Sequence, residues 1–416
     1  MKKLLNNLLN NPLASGSLLM FIGAMVSNFG AYLYHLAMGR MLGPVSYGVL
    51  TALISLLYLL YIPALTLGTT VVKFASTAKA KKNYPQIYSL FYNLSQKLLI
   101  ASVTVFLLFT AASRIIAEFL QISNQNLIIL ASGFFLVSLL PVVNYGILQA
   151  FLNFSFLAAN SVLMAILKLG LAVGLVGLGF SIGGAITAIL VSSLVGYLLS
   201  FYPLRFLWRF KGEARVDWSE IILYVAPVFL VVLGLTSLYT TDIILVKHFF
   251  PPFQAGLYAA TAVIGKIVFF ASSAITIVMF PLVSERYENG GNFRLVLLQS
   301  LILVLVISGG ITTFYFLFPQ LMIRVLYGSS YLSISPYLGI FGIFISLYSL
   351  ASVLANFFLS IRKTQVAFFP FLAAAVQIGL IWFFHTSIQQ VIQISILSTA
   401  LLLILLLLYY LRSEKA

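Results

Sequence analysis

The sequence predicts an all-α integral membrane protein with twelve transmembrane helices. Three observations carry this. Of the 416 residues, 62% are hydrophobic and 7% charged, against about 25% charged in a soluble domain. Apolar runs of membrane-crossing length fill the chain. The lysines and arginines gather in alternate connections between those runs.

A crossing helix needs about 20 mostly apolar residues. The bilayer core has no water to satisfy an open strand edge, so each run is helical. In order, the expected spans are 16–38, 45–68, 88–112, 126–150, 156–177, 183–204, 221–246, 255–281, 296–319, 336–361, 366–385 and 392–411. Ahead of the first, Leu4, Leu5, Leu8 and Leu9 alternate with Asn6, Asn7, Asn10 and Asn11 at helical spacing. That pattern predicts a short helix lying on the membrane surface over residues 2–11.

Orientation follows from positive charge, which accumulates in cytoplasmic loops. With the N-terminus inside, sixteen of the 23 cations fall on the cytoplasmic face. Four (Arg40, Arg114, Lys247 and Arg324) fall on the other, and Lys97, Lys168 and Lys266 fall within spans. Both termini are therefore expected in the cytoplasm. The formal net charge of +15 reads as topology signal and attraction to anionic lipids, not as nucleic-acid binding.

The basic loop 205–220 divides the spans six and six, giving an N-terminal lobe over 1–204 and a C-terminal lobe over 221–416. The halves echo each other. Arg40–Leu50 (RMLGPVSYGVL) aligns with His248–Tyr258 (HFFPPFQAGLY) at a shift of 208, matching Pro44 to Pro252 and Gly48 to Gly256. Residues 148–152 (LQAFL) and 355–359 (ANFFL) align at nearly the same shift. Six spans per half makes the repeat parallel, an architecture of alternating-access transporters.

A lysine at a helix centre costs about 2.5–3.5 kcal/mol on insertion scales. Lys97, Lys168 and Lys266 should therefore face a watery cavity or a partner, and Arg40 would stand near its outer mouth. Together they suit an anionic substrate. Lys97 has the alternative of snorkelling to the interface, and Lys266 that of pairing with Asp242. Asp242 itself reads as a structural partner or an ion-coupling group. Asn28, Tyr32 and His35 share one face of the first span. Asn28 and His35 are candidate polar groups of the cavity, although a histidine there is more often a packing residue.

The chain has no cysteine, no Gly-x-x-x-x-Gly-Lys-Ser/Thr loop and no His-Glu-x-x-His pattern. No cofactor, metal or enzymatic activity is expected.

The segment Gly39–Leu50 (GRMLGPVSYGVL) resembles the first-loop signature of the oligosaccharide flippase family, the polysaccharide transporters that include Wzx-type O-antigen flippases. Thr241–Ala260 resembles its second-half counterpart, and Arg324–Tyr331 (RVLYGSSY) its outer loop between the ninth and tenth spans. The resemblance implies the V-shaped, two-lobed fold of the multidrug/oligosaccharidyl-lipid/polysaccharide (MOP) superfamily, to which the MATE exporters belong. It implies a monomer in a bacterial or archaeal cytoplasmic membrane, flipping a lipid-linked anionic oligosaccharide carried on undecaprenyl diphosphate. Partners implied are anionic lipids and polysaccharide polymerase or assembly proteins. The alternative is a MATE-type cation-coupled multidrug exporter, and a further one is a non-transporting scaffold. The count of twelve spans argues against lipid II, whose flippases carry two more.

Overall fold

In the computed structural model, residues 12–210, 229–361 and 363–413 are described. Residues 2–11, with the expected surface helix, and 211–228, with most of the basic loop, lie outside them. Most of the described residues are helical, and none lies in a strand.

The helices are α1 (Pro12–Ala80), α2 (Tyr84–Ala111), α3 (Ser113–Phe119), α4 (Asn126–Ser138), α5 (Pro141–Ala150), α6 (Phe154–Leu175) and α7 (Ser181–Leu204). They continue with α8 (Phe229–Leu238), α9 (Thr241–Phe249), α10 (Pro252–Glu288), α11 (Phe293–Leu317), α12 (Pro319–Leu326), α13 (Ser335–Ser360), α14 (Phe368–Phe383) and α15 (Ile388–Ser413). Among the described residues nine helical stretches are long and apolar enough to cross a membrane. The α8–α9 pair, bent by 45°, makes a tenth.

Two of the nine are far longer than one bilayer: Ile22–Ala80 has 59 residues and Phe154–Phe210 has 57. At about 1.5 Å per residue, each exceeds 80 Å. Each is interrupted once. In α1 the break is Gly43, with φ 71° and ψ 172°. This backbone is open to glycine, and the following Pro44 disfavours a helical residue before it. The sequence predicts a loop over 39–44, whereas one glycine suffices and the helix runs on either side. The second break is a π-helical turn, Val176–Phe180, closed by Gly179 at φ 94° and Ser181 at φ 46°. The expected spans 126–150 and 221–246 are also broken, the first between α4 and α5 and the second between α8 and α9.

The chain forms two compact units. Within the described residues, unit 1 comprises 12–42 and 60–210, and unit 2 comprises 43–59 and 229–413. Residues 43–59 pack with 229–413 rather than with their neighbours in the sequence.

In unit 1, α6 packs along α7, and α2 along α4. Helices α1 and α6 approach closely through small residues. A Cβ on Gly23 would lie 2.6 Å from the Ala158 Cβ, and one on Gly30 2.9 Å from the Ala165 Cβ. Such contacts are how membrane helices gain packing energy, since lipid supplies no hydrophobic drive between them.

In unit 2, α10, α11, α13 and α15 pack around an aliphatic and aromatic core that includes Leu354, Phe357, Phe358 and Leu402. The two echoing motifs meet here. A Cβ on Gly48 would lie 2.9 Å from the Gly256 Cα, and one on Gly256 would collide with the Pro44 carbonyl. The glycines that match in the repeat are therefore packed against each other's motifs. Nearby, the Tyr47 and Tyr327 hydroxyls are 2.9 Å apart in a buried hydrogen bond.

Candidate functional site

Each unit holds one mid-span lysine over a tyrosine ring. In unit 1, the small-residue contacts bring α1 beside α6, so that the Lys168 ammonium lies 5.2 Å from the Tyr34 ring centroid. Tyr34 is buried and its hydroxyl donates to the Ala185 carbonyl at 3.0 Å, which fixes the ring. In unit 2, the Lys266 ammonium lies 4.9 Å from the Tyr239 ring centroid. Such cation–π contacts contribute about 0.5–2 kcal/mol each, which offsets part of the cost of an ammonium in a membrane span. Both lysines are half-buried.

Around Lys266 the break between α8 and α9 organises a polar cluster. It starts a helix at Thr241 and puts Asp242 in that helix's first turn, where the helix dipole favours an anion. Asp242 is fully buried (0% exposed). The Tyr258 hydroxyl donates to Asp242 Oδ2 at 2.6 Å, and the Ile243 N–H donates to Oδ1 at 2.9 Å. Lys266 is two turns beyond Tyr258 on α10 and within coulombic reach of Asp242. The ion pair Arg114–Glu118, at 3.0 Å, is exposed and lies in unit 1. Gln377 on α14 donates to Ser395 Oγ on α15 at 2.8 Å, while its own Oε1 and the Ser398 Oγ are buried without a hydrogen bond.

The other sequence candidates are spread out. Arg40 is exposed on α1, in the turn before Gly43, and Lys97 is exposed on α2. His35 is half-buried, its ring edge-on to Tyr34 with centroids 5.5 Å apart. Asn28 is exposed and lines a cavity of about 380 Å³ in unit 1, together with Ser27, Tyr145, Gln149, Asn160, Ser161 and apolar neighbours. Lys247, which the sequence assigns to an outer loop, is instead 1% exposed in the last turn of α9. The apolar run before it continues helically through Phe249, and burial in the fold follows.

The residues that sequence reasoning missed are Tyr145 and Asn160. The Asn160 amide donates to Tyr145 Oη at 3.0 Å and to the Gly196 carbonyl at 3.2 Å. A lone amide in an apolar run was the available signal, since a membrane helix holds a polar side chain only where a partner meets it.

The long apolar helices and their breaks define a multi-pass, all-helical membrane protein. By fold, the chain is similar to an inward-facing multidrug resistance MATE family transporter of the MOP superfamily. The TM-score is 0.75 at 16% identity, covering 92% of this chain and 95% of that one. It is similar to the lipid II flippase MurJ in an inward closed conformation, at TM-score 0.75 and 14% identity, over 96% and 88% of the two chains. The eukaryotic MATE transporter AtDTX14 gives 0.71 at 12% identity, over 96% of each. There is no match among curated protein sequences. Residues 37–336 match the polysaccharide biosynthesis protein family. The chain belongs to that family, and its relatives in fold are transporters and flippases rather than enzymes.

Proposed function

We propose that this protein is a flippase for a lipid-linked anionic oligosaccharide, built on an undecaprenyl diphosphate carrier and moved across a bacterial or archaeal cytoplasmic membrane by alternating access. The observation that carries this reading is the pair of mid-span lysines, Lys168 over Tyr34 and Lys266 over Tyr239. Membership of a polysaccharide biosynthesis family supplies the glycan, and a diphosphate supplies the negative charge that two ammonium groups in a low-dielectric interior attract.

Twelve crossings follow if Ile22–Ala80 and Phe154–Phe210 each cross twice, turning at Gly43 and Gly179, and α8–α9 crosses once. The positive loops then put both termini in the cytoplasm. Asp242 acts in this scheme as the partner that holds the Lys266 region together, with Arg40, Lys97, Asn28 and His35 contributing further polar contacts to the path.

The test is the double change Lys168→Ala/Lys266→Ala, expressed in the native host. Surface glycan falls at least tenfold while membrane abundance stays normal. Intact glycan display at normal abundance overturns the reading.

A second reading, a cation-coupled multidrug exporter, is favoured by one observation, the fully buried carboxylate of Asp242. In that case Asp242→Asn abolishes efflux of a cationic dye and the lysine changes have little effect.

A further inference from the structure

Four stretches of unit 1 come together at one end: the last turn of α1, the first turn of α2, the end of α5 and the turn Arg205–Phe210 that follows α7. Aromatic rings join them. Tyr84 stacks on Phe210 with centroids 4.8 Å apart, and Phe151 lies edge-on to Phe206 at 5.0 Å. Trp208 lies edge-on to Tyr88 and to Phe91, each at 6.3 Å. Phe206 and Leu207 face the apolar core of this end, which leaves Arg205, Trp208 and Arg209 exposed.

One cation here serves the fold. Lys79 Nζ donates to the Ala150 carbonyl at 3.2 Å, at the end of α5, and lies 5.0 Å from the Phe151 ring centroid. Four others are exposed: Lys81, Lys82, Arg205 and Arg209. The Arg205 guanidinium lies 4.7 Å from the ring centroid of Tyr202, itself exposed. Among the described residues, the side chains of Lys81, Lys82 and Arg209 make no hydrogen bond, ion pair or ring contact. The one carboxylate among the described residues of unit 1, Glu118, lies beyond the far end of α2. The Tyr84–Phe210 stack brings the two basic edges side by side, since Lys82 is two residues before Tyr84 and Arg209 adjoins Phe210.

The charge calls for an anion, and an arginine matches phosphate oxygens with two parallel hydrogen bonds. The exposed rings narrow the choice. Tryptophan and tyrosine gather where a bilayer passes from headgroup to acyl chain. A free anion makes no use of Trp208 or Tyr202. An anionic phospholipid presents both a phosphate and, directly below it, an apolar body.

We propose that this end of unit 1 is a binding site for an anionic phospholipid, with Lys82 and Arg209 on its phosphate, Lys81 and Arg205 beside it, and Trp208 against the glycerol and first acyl carbons. The site does not rest on the flippase reading. On the orientation proposed above it faces the cytoplasmic leaflet. The general attraction of basic loops to anionic lipid becomes here one local, saturable contact.

Purified full-length protein in detergent is titrated with dioleoyl-phosphatidylglycerol or dioleoyl-phosphatidylcholine, and bound lipid is counted by native mass spectrometry. The first phosphatidylglycerol binds at least fivefold more tightly than phosphatidylcholine. Lys82→Gln/Arg209→Gln weakens it at least fivefold. Arg286→Gln/Arg294→Gln removes the same charge from exposed residues of unit 2 and changes it less than twofold. Inorganic phosphate in excess does not displace the lipid. Lys82→Gly separates binding from folding. Lys82 has φ 53°, where glycine is better tolerated than lysine. Its melting temperature therefore holds or rises while phosphatidylglycerol affinity falls at least twofold. The proposal is overturned if the two lipids bind alike, or if the unit 2 pair weakens binding as much as the unit 1 pair, which is diffuse attraction. It is also overturned if inorganic phosphate displaces the lipid, which assigns the site to a free anion, or if Lys82→Gly binds as the natural chain does. Glycan export in the Lys168 and Lys266 variants bears on the flippase reading alone, so either reading fails without the other.

Discussion

Both units place a lysine ammonium about 5 Å from a tyrosine ring, but the surroundings of the two lysines differ. In unit 2 a buried carboxylate, Asp242, lies within coulombic reach of Lys266 and is held by Tyr258. In unit 1 the only carboxylate among the described residues is Glu118, which is exposed and paired with Arg114. Among the described residues of unit 1, Lys168 therefore has no buried carboxylate to balance it, whereas Lys266 has Asp242 within coulombic reach. On the proposed reading the same side chain does two kinds of work: Lys168 attracts an anion, and Lys266 also helps stabilise its own unit.

The strongest way to break this comparison is through the scaffold of unit 2. Gly256→Val drives a branched side chain into the Pro44 backbone, where rigid neighbours make overpacking costly. Folded protein in the membrane falls at least tenfold, read by size-exclusion chromatography of solubilised material. Lys168→Ala comes next. It lowers glycan display about tenfold without changing the melting temperature, and Lys168→Arg restores at least half, because charge rather than shape is what it supplies.

Lys266→Ala behaves differently. It lowers both glycan display and melting temperature, since Asp242 loses its nearby positive charge. The added change Asp242→Asn recovers melting temperature but not export. Equal melting temperatures for Lys266→Ala and Lys168→Ala would erase the distinction between the units.

A smaller effect comes from the tyrosines. Tyr258→Phe leaves Asp242 Oδ2 without its donor in a buried site and costs about 1.5–3 kcal/mol, as for a hydrogen bond to a charged group. Tyr34→Phe removes a neutral bond to the Ala185 carbonyl and costs about 1 kcal/mol. Paired thermal unfolding curves measure the gap. Smallest is Arg114→Ala, an exposed i,i+4 ion pair at 3.0 Å, which changes stability by less than about 0.5 kcal/mol.

The membrane architecture was legible in the sequence because hydrocarbon permits so few solutions. Long apolar runs have to be helices, and a lysine within one has to be accounted for; Lys168 and Lys266 were found on that ground alone. The repeat motif was legible too, as Pro44 with Gly48 and Pro252 with Gly256. That these motifs pack against each other was not, because a shared pattern does not say which copies touch.

The breaks were harder to read. Gly43 interrupts α1 with a single residue, too little to register as a loop, and Pro319–Leu326 is a helix of 8 residues outside any span. Lys247 looked like a loop cation because charge near the end of an apolar run usually marks its exit from the membrane. Asn160 gave the weakest signal of all. Amides carry no charge and no periodic pattern, and its meaning comes from Tyr145 and Gly196, fifteen residues before it and thirty-six after.

Residues 43–59 belong to unit 2, yet they are synthesised ahead of most of unit 1. At the ribosome they emerge roughly 170 residues before the bulk of the elements they pack with, a delay of some 8–30 s at ordinary elongation rates. During that interval Gly48 has no Gly256 to meet. The nascent chain must hold a glycine-marked helical segment in the bilayer with its destined contact surface bare. Assembly of this protein is therefore a completion from the C-terminal side, and a ribosome stalled before Gly256 leaves the first unit made but the second without its earliest piece in place.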